Sequence, residues 1–152
     1  MKNQRYEAAS LVLGKSLWII GGKSNDGCLK STEYISRDSK QEDGPDLPIK
    51  LYKHVAIKIN ETVSMITGGS NCGVVYNTKT WFYSHITGQW IDGPALLQPR
   101  EMLSVGSITD SVTQEQFIII TGGYHSSLGL GHLKSTEILD KGGTTWKPGE
   151  LL

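Results

Sequence analysis

The sequence predicts an all-β chain made of three similar units, each a four-stranded antiparallel sheet. The first observation behind this is a run of β-branched or aromatic residues that ends on two glycines and occurs three times: Leu17-Trp18-Ile19-Ile20-Gly21-Gly22, Met65-Ile66-Thr67-Gly68-Gly69 and Ile118-Ile119-Ile120-Thr121-Gly122-Gly123. The second is that a further strand and a Gly-Pro or Pro-Gly turn recur after each pair. Ser31-Thr32-Glu33-Tyr34-Ile35, Lys79-Thr80-Trp81-Phe82-Tyr83 and Ser135-Thr136-Glu137-Ile138-Leu139 come next in their units. Each is succeeded in turn by Gly44-Pro45, Trp90-Ile91-Asp92-Gly93-Pro94 or Trp146-Lys147-Pro148-Gly149. The glycine pairs recur about every 50 residues, a period that marks a repeat architecture built from short strands.

An apolar run of this kind suits a strand buried on both faces. A helix is disfavoured because the runs are short, rich in Ile and halted by Gly-Gly. Glycine at the strand's end allows backbone angles closed to other residues and lets a neighbouring chain approach where a Cβ would collide.

Taken in order, the first unit spans 5–47. Its strands are expected at Tyr6–Leu13, Leu17–Ile20, Thr32–Ser36 and Gln41–Asp43, with Lys23–Lys30 as a polar loop. The second spans 50–97, with strands at His54–Ile59, Val63–Thr67, Thr80–His85 and Gln89–Asp92 and a loop over Ser70–Asn77. The third spans 100–152, with strands at Leu103–Ile108, Gln116–Thr121, Thr136–Leu139 and Thr145–Lys147, a polar insertion over Asp110–Glu115 and a loop over Tyr124–His132. The five prolines fall near fourth strands or the connections after them, as expected for an outermost strand, where a missing N–H is tolerated.

The order of pieces resembles the kelch repeat, and the resemblance covers essentially the whole chain. Gly21, Gly22, Gly68, Gly69, Gly122 and Gly123, Tyr34, Trp90 and Trp146 match its signature positions. Gln41 stands where the first unit would carry its Trp, and Phe82 and Ile138 replace the Tyr in the other two. The resemblance implies kelch-type β-propeller blades, here an incomplete propeller. Closed propellers usually have about four to eight blades. The chain is therefore expected to be a fragment of a longer protein, half of a ring completed by a second copy (a homodimer), or an open stack.

Composition excludes several classes. Formal charge is zero, from 15 basic and 15 acidic residues, which gives no footprint for nucleic acid or an anionic membrane. No apolar run is long enough to span a membrane as a helix. Cys28 and Cys72 each come shortly after a glycine pair and are expected in equivalent loops of adjacent units. They read as free thiols in a reducing, cytoplasmic compartment, with a disulfide between units as the alternative. Asn60-Glu61-Thr62 is a glycosylation sequon in an expected turn, without weight in a cytosolic protein.

No catalytic constellation is visible. His54, His85, His125 and His132 are scattered, so no metal site is expected. Lys23-Ser24 after Gly21-Gly22 lacks the preceding glycine and following helix of a phosphate loop, and no cofactor is expected. Glu33 and Glu137 recur at matching places, which favours a structural bond over catalysis; the same logic makes Trp90 and Trp146 inter-blade packing.

Recognition is expected where the units differ, on the face bearing the second-to-third-strand loops and the connections between blades. There stand Lys23, Asn25, Asp26, Lys50, Tyr52, Lys53, Ser70, Asn71, Arg100, Glu101, Tyr124, His125 and Ser126. The family resemblance implies a module that docks a protein or peptide partner on that face, such as actin or a ubiquitin-ligase substrate. The alternative it implies is a piece of a kelch-type enzyme, a sugar isomerase or a copper oxidase, whose acid–base or Tyr and His ligand sets are not found in the chain.

Overall fold

The three apolar runs become the second strands of three separate sheets. The computed structural model describes residues 2–73, 76–126 and 131–149, and no described residue is helical. The first sheet holds β1 (Ala9–Leu13) and β2 (Ser16–Ile20), then, after a small hairpin of β3 (Lys23–Ser24) and β4 (Gly27–Cys28), β5 (Thr32–Ser36) and β6 (Gln41–Asp43). The second holds β7 (Val55–Asn60), β8 (Val63–Thr67), β9 (Thr80–Ser84) and β10 (Gln89–Asp92). The third holds β11 (Ser104–Thr109) and β12 (Gln116–Thr121), then, after the hairpin of β13 (Tyr124–His125) and β14 (Gly131–His132), β15 (Thr136–Asp140) and β16 (Lys147–Pro148). Each sheet is an antiparallel meander with its strands in sequence order. The first strand β7 lies against both β1 and β11, and β6, β10 and β16 form the opposite edges. The fold is all-β, laid out as blades.

Apolar side chains of adjoining blades fill the space between them. Trp18 and Ile20 of the first blade share a core with Ile66, Trp81 and Tyr83 of the second. Met65 and Phe82 of the second share another with Ile118, Ile120, Leu139 and Trp146 of the third. Trp18 is fully buried, with its ring 5.7 Å from Tyr34, 5.3 Å from Tyr83 and 6.1 Å from Trp90. Burial pushes the Tyr34 phenol up to about 12, helped by neighbouring Tyr83. Trp90 of β10 and Trp146, just before β16, also reach back to the preceding blade: the indole N–H of Trp90 donates to the Asp46 carbonyl at 2.7 Å, and that of Trp146 to the Pro94 carbonyl at 3.1 Å. Truncating a core aromatic to Ala typically costs about 3–5 kcal/mol, so these two layers carry much of the stability.

Blade succeeds blade through a repeated backbone device. Glu7, Lys53 and Met102 stand just before the three first strands, all left-handed, at φ of 54°, 55° and 54°. The Lys53 N–H donates to the Glu7 carbonyl at 2.9 Å, and the Met102 N–H to the Lys53 carbonyl at 3.0 Å. Beside this ladder, Gly22 donates to Leu51 at 2.8 Å and Gly69 to Arg100 at 2.9 Å. The glycines are required here. A Cβ on Gly21 would lie 2.7 Å from the Leu51 carbonyl oxygen, and one on Gly68 would lie 2.9 Å from that of Arg100. The equivalent Gly122 meets nothing closer than the Leu133 carbonyl oxygen at 3.8 Å, because no described residue lies beyond the third blade.

Departures from the sequence reading are local. β1 begins at Ala9 instead of Tyr6, since Tyr6 bridges to Lys23 and Glu7 turns left-handed. Lys23–Lys30 contains the hairpin of β3 and β4, with Asn25-Asp26 as its two-residue turn. The fourth strand of the third blade is Lys147–Pro148, just after Trp146. The expected continuation through Glu150, Leu151 and Leu152 lies outside the described residues, as do Val74, Val75 and residues 127–130 of two loops.

Candidate interaction face

The glycine pairs bring the second-to-third-strand loops and the incoming connections to one end of the molecule. Tyr6 bridges to Lys23, Tyr52 to Ser70 and Glu101 to Tyr124, an equivalent backbone bridge in each blade, and Ser70 bridges on to Tyr76. The side chains on this frame join blade to blade. The Lys23 ammonium of the first blade lies 5.3 Å from the centre of the Tyr52 ring in the second, and Lys53 lies 5.4 Å from the same ring. Lys53 Nζ is 3.1 Å from Oε1 of Glu101 at the third blade. Burial alone would lower the Lys53 pKa; the Glu101 carboxylate, with Glu7 and Tyr52 nearby, outweighs it and holds the ammonium above its ordinary range. Tyr76 packs edge-on against His125, with ring centres 4.6 Å apart, and hydrogen-bonds Ser126 through its hydroxyl.

Of the residues expected here, Lys23, Tyr52, Lys53, Ser70, Glu101, Tyr124, His125 and Ser126 come together. Ser70, Glu101 and His125 are buried beneath the surface, and Lys23, Tyr52, Lys53 and Tyr124 are partly open. Asn25, Asp26 and Lys50 stand apart, exposed on the flank of the β3–β4 hairpin. Asn71 closes its own turn by accepting the Gly73 N–H at 2.9 Å. Tyr6, half exposed, and Tyr76 belong to this face although the sequence reading does not include them. The signal for Tyr6 is its alignment with Tyr52, each three positions before a first strand.

Arg100 lies beneath the face. It is fully buried; its guanidinium donates to Glu137 at 2.8 Å and to the Gly122 and Ser135 carbonyls at 2.7 and 3.0 Å. The backbone N–H of Leu97, on the connection entering the blade, donates to the same carboxylate at 2.7 Å. The first blade repeats the arrangement. Arg5 pairs with Glu33, which also accepts from the N–H of Lys2 at 2.7 Å and of Asn3 at 3.2 Å. Burial would raise the Glu33 pKa, but the Arg5 hydrogen bond and the two backbone donors hold it below the ordinary range. In the second blade the two stations are Leu51 and Trp81, both buried in the apolar core. The recurrent glutamates thus have structural partners, each on its own blade's incoming connection.

The cysteines correct the sequence reading. Cys28 and Cys72 form a disulfide, with Cα atoms 5.6 Å apart. The loops after Gly22 and Gly69 are neighbours in adjoining blades, which brings residues 44 apart in sequence within bonding reach. The bond ties the first blade to the second beside the Lys23–Tyr52 contact.

Among the described residues no group of three or more His, Cys, Asp or Glu stands where it could hold a metal ion. Ser64 Oγ lies 2.8 Å from His85 Nε2, a nucleophile–base distance, but Ser64 is fully buried inside the blade, out of a substrate's reach. No described helix is long and apolar enough to cross a membrane. The chain matches no family model and no curated protein.

Proposed function

We propose that this chain is a protein-interaction module of kelch type that docks a protein or peptide segment on the face around Tyr52. The observation that carries the reading is the run Lys23, Tyr52, Lys53 and Glu101, which draws on all three blades and is fastened to a rigid backbone frame. An aromatic flanked by cations on a pre-organised surface is the composition of an interface anchor. An extended segment carrying a carboxylate and an apolar side chain suits it best, with the carboxylate on Lys23 and the apolar group on Tyr52. The test is selection of a displayed random peptide library on the purified chain. Selected peptides are expected to bind Tyr52→Ala about tenfold or more weakly, a loss of about 1.4 kcal/mol. Undiminished binding to that variant refutes the reading.

We further propose that a second copy, set head to tail, covers the outer face of the third blade. A groove of about 370 Å³ there is lined by Ile108, Phe117, Ile119, Ile138 and Pro148. Ile119 and Ile138 occupy the stations that Met65 and Phe82 hold in the second blade, where the third blade covers them. Light scattering is expected to give twice the chain mass; a monomer at micromolar concentration refutes it.

A further inference from the structure

We propose that Asn60 accepts an N-linked glycan and that the chain folds in an oxidising, secretory compartment. Two independent features meet in this inference. The first is the disulfide between Cys28 and Cys72, which joins two blades through their loops. Bonds of this kind persist where thiols are not kept reduced. Forming it removes two protons and two electrons from the thiols; a disulfide-bearing oxidant of the compartment takes them and leaves as a dithiol.

The second is the sequon Asn60-Glu61-Thr62 and where the fold presents it. Asn60 pairs with Val63 across the β7–β8 hairpin, so Glu61 and Thr62 form its two-residue turn. Asn60 is exposed, and the Glu61 side chain is 87% exposed. The turn lies at the end of the blade opposite the glycine pairs, beside the β9–β10 turn, whose His85 donates its N–H to the Thr62 carbonyl at 2.8 Å. Asn60 Oδ1 accepts both the Thr62 N–H at 2.8 Å and the Thr62 hydroxyl at 2.9 Å. The threonine that the sequon requires is thus already turned onto the asparagine amide. Asn60 is exposed at the end of β7, and a glycan there leaves the face around Tyr52 clear.

The transfer balances with one co-reactant, an oligosaccharide carried on a lipid diphosphate. The Asn60 amide nitrogen bonds to the sugar's C1 as the bond from C1 to the diphosphate breaks. The lipid diphosphate departs with the electron pair, and one amide proton passes to the transferase's base.

The test is expression of the full chain behind a cleavable secretion leader in an insect or mammalian line, with analysis of both secreted and lumen-retained pools. A mobility shift removed by peptide-N-glycosidase is expected, with Asn60 converted to aspartate in the treated peptide. Asn60→Gln and Thr62→Ala should each abolish the shift; Thr62→Ser and Glu61→Gln should keep it. Peptide mapping without reductant should recover Cys28 linked to Cys72. A bare Asn60 in both pools, or two titratable thiols in the folded protein, overturns the inference.

Discussion

Arg100 and Glu137 form a buried ion pair at 2.8 Å in the third blade, at the two stations that Leu51 and Trp81 fill in the second. One fold therefore holds the same junction in a charged and an apolar version. Breaking a buried pair from one side strands the other charge and typically costs about 3–5 kcal/mol, whereas replacing both members with apolar groups is often tolerated. Arg100→Leu is expected to lower unfolding free energy by that amount. The double variant Arg100→Leu with Glu137→Trp should recover at least half of it, although the Leu97 N–H then loses its acceptor. Urea denaturation of the three proteins measures both. A double variant no better than the single one would mean that the carboxylate's backbone bonds outweigh the pairing.

Acid should weaken the fold through His54. This side chain is buried between Gly21 and Gly69, and burial pushes its pKa down from 6.5 to about 4. Between those values the unfolded chain binds a proton that the folded chain refuses, so stability rises with pH across the window. It is complete above about pH 6.5 and declines as pH falls toward 4, by roughly 3 kcal/mol at most. His85 is shifted the same way, by burial and then by Lys58, and adds to the effect. The urea midpoint measured from pH 7 to pH 4 should fall more steeply for the native chain than for His54→Gln. Parallel slopes would remove His54 as the cause.

The glycine pairs supply a comparison within one molecule. Gly68 and Gly122 have φ of 69° and 65°, so alanine at either carries about 1–2 kcal/mol of left-handed strain. Only Gly68→Ala also drives a methyl into the Arg100 carbonyl and Leu103. In a monomer Gly68→Ala should be the more damaging by about 2 kcal/mol or more, and in the proposed head-to-tail dimer the two losses should match. Equal melting losses would show that something covers Gly122 in solution, as the head-to-tail copy would.

Removing the disulfide should cost stability without altering the sheets. The bond spans 44 residues, and the chain-entropy account of cross-links puts its effect near 4 kcal/mol. The double variant Cys28→Ser with Cys72→Ser should melt lower than the native chain, and added reductant should shift only the native protein. A reductant-insensitive midpoint would show that the bond is absent in solution.

How far the chain can be read depends on where its causes lie. Thr32–Ser36, Val63–Thr67, Gln89–Asp92 and Gln116–Thr121 are strands over the expected spans, since each is bounded by turn residues or by its own glycine pair. The packing roles of Trp90 and Trp146 are legible from their recurrence. Those of Arg5 and Arg100 are not, because their glutamates lie 28 and 37 residues away and nothing local distinguishes a buried arginine from a solvated one. The sulfur bond is legible only as an alternative: the repeat puts both cysteines in equivalent loops of adjacent units, but their approach to a Cα separation of 5.6 Å depends on how the two blades stack. On the face around Tyr52, position in the repeat is enough to bring Tyr52, Lys53 and Glu101 together. Tyr6 is lost to an over-long first strand.

The ladder through Glu7, Lys53 and Met102 has a direction. Every rung runs from the N–H of a later blade to the carbonyl of an earlier one, so the stack has unlike ends, as a magnet has. Copies that extend it cannot meet like end to like end. They must join in one sense around a common axis, and the same joint is then made at every seam. A head-to-tail joint of this kind closes into a ring where the turn per copy divides a full circle and runs on as an open helix where it does not, and a change at one joint is repeated at every other.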